Sequence, residues 1–169
     1  LLTDGNIGQG YNFSSYYHLD NNSLYGENQT YVIDFSTYND SHQANMTPVG
    51  NAYPNMTGGK FGGAWVFDGN GDYLTASTGI IQQDSDEDQA VFSAWVKRNG
   101  NSATGYESII VENADSAGYS LVASCNNAQI MFTGRETLDV AQVSTPRSII
   151  EDGQWHLITG AYDRVTNNV

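Results

Sequence analysis

Ala90-Val91-Phe92-Ser93-Ala94-Trp95-Val96-Lys97-Arg98 alternates with a period of two, so in extended form Phe92, Ala94 and Val96 share one face and Val91, Ser93, Trp95 and Lys97 the other. The first face reads as core. Trp95 then lies opposite, either under a loop or on the outer face of a sheet. Short runs rich in β-branched and aromatic residues recur at 64–68, 73–76, 107–112, 119–124, 128–133, 148–150 and 155–162. Turn chemistry separates them, in Asp68-Gly69-Asn70-Gly71, Asn99-Gly100-Asn101, Ser116-Ala117-Gly118, Asn126-Asn127 and Asp152-Gly153. In the last run Leu157, Thr159 and Ala161 oppose Trp155, His156, Ile158 and Tyr162 less cleanly, as in a strand covered on both sides. Closely spaced strands without an amphipathic helix predict an all-β sandwich or barrel.

The 169 residues fit one domain, with 1–15 as an extension or linker and 16–169 as the folded module. Six Lys and Arg stand against 19 Asp and Glu, a net charge of −13. Because phosphate binding depends on Lys and Arg, this balance argues against a nucleic-acid or anionic-membrane partner. It suits cation or neutral-sugar binding, or a surface adapted to salt. Cys125 is the single cysteine, which excludes an internal disulfide and a cysteine zinc cluster. No stretch approaches the roughly 18 consecutive apolar residues of a membrane span. The opening Leu1-Leu2-Thr3 reads as that of a processed product or a fragment.

The N-x-[ST] acceptor occurs at Asn12, Asn21, Asn28, Asn39, Asn45 and Asn55. All six precede Gly58, where six of nine Asn head a sequon, and none of the eight later Asn does. This clustering points to a glycosylated, secreted or cell-surface protein whose front segment runs over the surface. That segment reads as extended pieces at 16–19 and 31–35 joined by polar loops.

Gly59-Lys60-Phe61-Gly62-Gly63-Ala64-Trp65-Val66-Phe67-Asp68-Gly69-Asn70-Gly71-Asp72-Tyr73-Leu74 resembles the signature of laminin G-like jelly-roll domains, members of the concanavalin A-like sandwiches. Phe92-Ser93-Ala94-Trp95-Val96-Lys97 and Gly153-Gln154-Trp155-His156-Leu157-Ile158-Thr159-Gly160-Ala161-Tyr162-Asp163 are similar to two further strands of that family. Tyr17-His18-Leu19-Asp20 and Asp34-Phe35-Ser36-Thr37-Tyr38-Asn39-Asp40 resemble its opening, departing at Thr37, where Gly is usual. The motifs run in family order from about residue 16 to Val169. The resemblance implies an antiparallel two-sheet jelly roll. It also implies closing strands beyond Thr166-Asn167-Asn168-Val169, so the sequence reads either as a fragment or as a sandwich completed by a neighbouring chain through β-augmentation.

Sandwich glycosidases carry alternating carboxylates on one strand. The nearest string, Asp84-Ser85-Asp86-Glu87-Asp88, lacks the Glu pair and reads as a solvated acidic loop. His18, His42 and His156 are not at metal-site spacing, and no nucleophile elbow is present. A non-catalytic role is expected. Calcium, which takes six to eight oxygens, is the candidate cofactor: Asp68, Asn70 and Asp72 alternate in a turn, and Asp34 and Asp20 would add ligands if the front strands return beside it. The competing reading is a hairpin whose Asp and Asn cap their own backbone. The resemblance favours calcium, since family members often bind it at the sandwich rim. Sugar binding would need exposed aromatic faces, for which Tyr73, Tyr106 and Tyr119 lie near loops, although sandwich aromatics are more often core.

The expected function is an extracellular adhesion or glycan-binding module, with glycans or surface proteins as partners. Sequon density, few Lys and no disulfide suggest an archaeal surface protein. The alternatives are a filament or sheath subunit completed by copies of itself, and an accessory module of a polysaccharide-degrading enzyme.

Overall fold

The computed structural model describes residues 15–36, 44–76, 89–99, 106–112, 118–124, 129–135 and 140–163. Ten strands and two short 3-10 turns make the described chain all-β, and every strand pair in it is antiparallel. The chain divides into two compact units, Leu1–Gln82 and Gln83–Val169.

In the first unit β1 (Met46–Val49) pairs with β4 (Tyr73–Ala76), and β2 (Tyr53–Asn55) with β3 (Ala64–Val66). Val32, fully buried, bridges Met46 through two backbone hydrogen bonds of 2.9 Å, which ties the front segment to β1. Val32, Met46 and Trp65 form the core, with Tyr17, Leu19, Ala52, Leu74 and Ala76 packed against them. The pieces expected to be extended at 16–19 and 31–35 form no ladder: the second makes only isolated bridges through Tyr31 and Val32, and the first ends at Leu19 in the left-handed region, with φ of 59°. Phe35 N–H donates to Tyr16 C=O at 2.7 Å, so the two pieces do meet.

In the second unit β5 (Gln89–Lys97) pairs along its whole length with β10 (Trp155–Asp163). β6 (Tyr106–Glu112), β7 (Gly118–Ser124), β8 (Gln129–Arg135) and β9 (Val140–Pro146) form a four-stranded meander. A bulge falls between Ser108 and Ile110, and β8 also lies against β10. The alternation expected of β5 is present: Phe92 is buried and Ala94 and Val96 half-buried, whereas Val91, Ser93, Trp95 and Lys97 are exposed. Trp95 is therefore on the outer face.

Two expectations fail here. β10 is not covered on both sides, because Leu157, Thr159 and Ala161 are exposed opposite Trp95, Ser93 and Val91. Residues 148–150 are not a strand but lie in a 3-10 turn, Arg147–Ile150, closed by Glu151 N–H donating to Ser148 C=O. Pro146 ends β9 immediately before it, and the turn drops Ile150 into the interior against β8.

Arg98, at the end of β5, grips the Glu107 carboxylate of β6 through Nε at 2.7 Å and Nη2 at 2.8 Å. Its Nη1 reaches Glu151 at 3.4 Å. This fork anchors β5 to the meander and to the turn after Ile150.

Candidate functional site

The turn between β3 and β4 is held by its own side chains. Asp68 Oδ1 accepts from Asn70 N–H at 2.7 Å, and Asp72 Oδ2 accepts from Asp68 N–H at 2.9 Å. Asp72 Oδ1 accepts from Asn51 N–H at 2.6 Å, joining this turn to the β1–β2 turn. Gly69 and Gly71 both have φ of +80°, which glycine adopts without a Cβ penalty. The Asp68 N–H, and after it that of Asn51, hold the Asp72 carboxyl below the usual carboxylate range.

Asp34 lies elsewhere and does structural work. It is buried, its Oδ1 accepts from Tyr16 and Ser36 N–H at 2.9 Å each, and its Oδ2 accepts from Ala44 N–H at 3.2 Å. Three main-chain donors thus satisfy one carboxylate and pin three segments together. Among the described residues, no three His, Cys, Asp or Glu side chains converge as a metal-binding group.

The sequons differ in their surroundings. Asn28 is exposed, and its Oδ1 accepts from both Thr30 N–H at 2.9 Å and Thr30 Oγ1 at 2.8 Å. Asn55, also exposed, makes the same Asx-turn with Thr57 N–H at 3.2 Å. Asn45 is half-buried, and its Oδ1 accepts from Asp34 N–H at 2.8 Å. Asn21 is half-buried with φ of 54°, and its Nδ2 faces Met56 Sδ. Asn12, Asn39, the 84–88 acidic string, His42 and Cys125 lie outside the described residues, as do the side chains of Tyr106 and Tyr119.

An aromatic cluster went unnoticed in the sequence. His18 stacks on Phe35 with centroids 4.3 Å apart and planes at 17°. Tyr16 meets His18 edge-on at 5.2 Å, and Tyr25 meets both His18 at 5.7 Å and Phe35 at 5.8 Å. Tyr16 is 36% exposed and Tyr25 45%, so the rings are on the surface. The available signal was the alternation Tyr16-Tyr17-His18-Leu19, in which Tyr17 and Leu19 face the core and Tyr16 and His18 do not. Tyr73 is exposed as well, but no ring partner accompanies it among the described residues.

Beside this cluster the chain turns through Asn22, whose Oδ1 caps the 3-10 turn Ser23–Tyr25 by accepting from Leu24 N–H. Gly26, with φ of +88°, closes that turn and delivers Glu27 to the interior. Glu27 Oε2 at 3.3 Å and Asp20 Oδ1 at 3.1 Å share one donor, the Asn22 N–H. Burial, followed by the hydrogen-bonded and like-charged Asp20 carboxyl, raises the Glu27 carboxyl above the usual range, against the opposing pull of the Ile33 and Asn22 N–H groups.

No family model, curated protein or solved structure matches this chain.

Proposed function

We propose that this chain is a non-catalytic, laminin G-like jelly-roll module of an exported glycoprotein, and that it binds glycans through the Tyr16–His18–Tyr25–Phe35 cluster. The cluster is the observation that carries the reading. Aromatic rings offer flat apolar faces to the C–H side of a sugar, while phenol hydroxyls and an imidazole at their edges bond its hydroxyls. A net charge of −13 turns such a platform toward neutral sugars and away from nucleic acid. The exposed Asx-turns at Asn28 and Asn55 support glycan attachment and, with it, a secreted or surface location.

A glycan array with the intact chain tests this, run in calcium and in EDTA. Binding to a defined class of neutral glycans is expected, reduced at least tenfold by Tyr25→Ala. Silence in both conditions would sink the proposal. One observation favours a second reading, a filament subunit: Val91, Trp95 and Leu157 form an exposed apolar strip across β5 and β10. Concentration-dependent assembly abolished by Leu157→Lys would support the filament, and a monomer at all concentrations would exclude it.

A further inference from the structure

Three buried side-chain polar atoms have no hydrogen-bond partner among the described residues, and two of them, Asn21 Oδ1 and Glu27 Oε1, belong to the loop of residues 19–28. Glu27 is 2% exposed. A buried carboxylate oxygen without a donor costs heavily unless something positive meets it. No Lys or Arg does so: among the described residues neither Asp20 nor Glu27 has a basic partner, and Lys60 is the one Lys or Arg in the first 82 positions. Instead a second carboxyl, that of Asp20, is brought to the same Asn22 N–H. Two carboxyls gathered at one N–H, one of them nearly inaccessible, present oxygens of the kind that hard divalent cations take, and the adjacent Asn21 carries a further buried amide oxygen without a partner.

From this arrangement we propose that Asp20, Asn21 and Glu27 form a binding site for a divalent, oxygen-seeking cation of the calcium class, separate from the Asp68–Asp72 turn. Glu27 supplies Oε1, Asp20 its carboxylate and Asn21 its Oδ1. Water and main-chain carbonyls complete a shell that three side chains do not fill. Asp20, Asn21 and Asn22 are half-buried, whereas Glu27 is buried. The Gly63 backbone packs directly against the start of this loop, because a Cβ on Gly63 would strike the Asp20 carbonyl. The proposal stands independently of the glycan reading.

The test uses the intact chain stripped with EDTA and titrated with calcium chloride by calorimetry and thermal unfolding. One saturable site and a Tm that climbs with calcium are expected. Glu27→Gln and Asp20→Asn should each weaken binding at least tenfold, and Asp72→Asn should leave it unchanged. A wild-type readout covers any variant that fails to fold. In an NMR titration the amide signals of Asn22 and Ile33, whose N–H groups face Glu27, should be among those that move most. No saturable uptake up to about 10 mM, above the range of weak extracellular calcium modules, would overturn the site. So would uptake that survives both carboxamide variants or moves only the signals of residues 68–72.

Discussion

At the scale of single residues, the acidic side chains of this protein do four distinct jobs set by their surroundings. Asp34 spends both oxygens on three main-chain N–H groups. Asp34→Asn keeps the shape but replaces one acceptor with a donor facing N–H, and should cost about 1–3 kcal/mol, read as a lower urea midpoint at unchanged slope. Asp72 ties two turns together, and Glu27 keeps one buried oxygen without a hydrogen-bond partner beside the Asp20 carboxyl. Asp152 accepts from His156 Nε2 at 2.8 Å and from Gln154 N–H at 2.9 Å. His156, and after it the Gln154 N–H, hold its carboxyl below the usual range. A depressed carboxyl stabilises the fold above its unfolded value of about 3.9 and loses that contribution as pH falls through the lower folded value. The Tm difference between wild type and Asp152→Asn should therefore be small above the unfolded carboxyl value and vanish as pH falls below the folded one. A gap that widens below pH 4 would contradict the assignment.

Strands and turns were read from the sequence with uneven success, for physical reasons. β4, β5 and β10 are legible because flanking Gly, Asn-Gly or Asp-Gly turns bound runs of β-branched and aromatic residues, and in β5 a clean period-two alternation adds the inward face. β9, Val-Ala-Gln-Val-Ser-Thr-Pro, has small and polar residues and ends in proline, and its strand state depends on the meander edge offered by β8. β1 and β2 are short strands within polar sequence, recruited by β4 and β3. The Gly59–Gly63 segment belongs to this scale too. Gly59 N–H donates to Gly62 C=O at 2.8 Å, and the Gly63 main chain abuts Asp20. Gly63→Ala forces backbone against backbone and should destabilise by about 1–3 kcal/mol. Wild-type stability in that variant would remove the close approach from the account of the Asp20 loop.

For the whole molecule, the surplus of 13 negative charges acts on every element at once. Self-repulsion is screened by salt, so Tm should rise by several degrees between roughly 10 mM and 0.5 M sodium chloride. A Tm insensitive to salt would mean that the charges are already neutralised locally. Composition and periodicity by themselves determined the all-β class, the inward face of β5, the turn chemistry at 68–72 and the positions of all six sequons. These are local properties, set by neighbours within a few residues along the chain. Tertiary structure alone decided that Asn28 and Asn55 stand in open turns while Asn45 serves Asp34, that four rings from residues 16 to 35 meet on one surface, and that Glu27 folds back beside Asp20. Each of these depends on a chain reversal whose outcome is a distance in space. The carboxyl pair, the most consequential of them, comes from a cap at Asn22 and a left-handed Gly26 acting together, which no spacing of acidic residues in the sequence encodes.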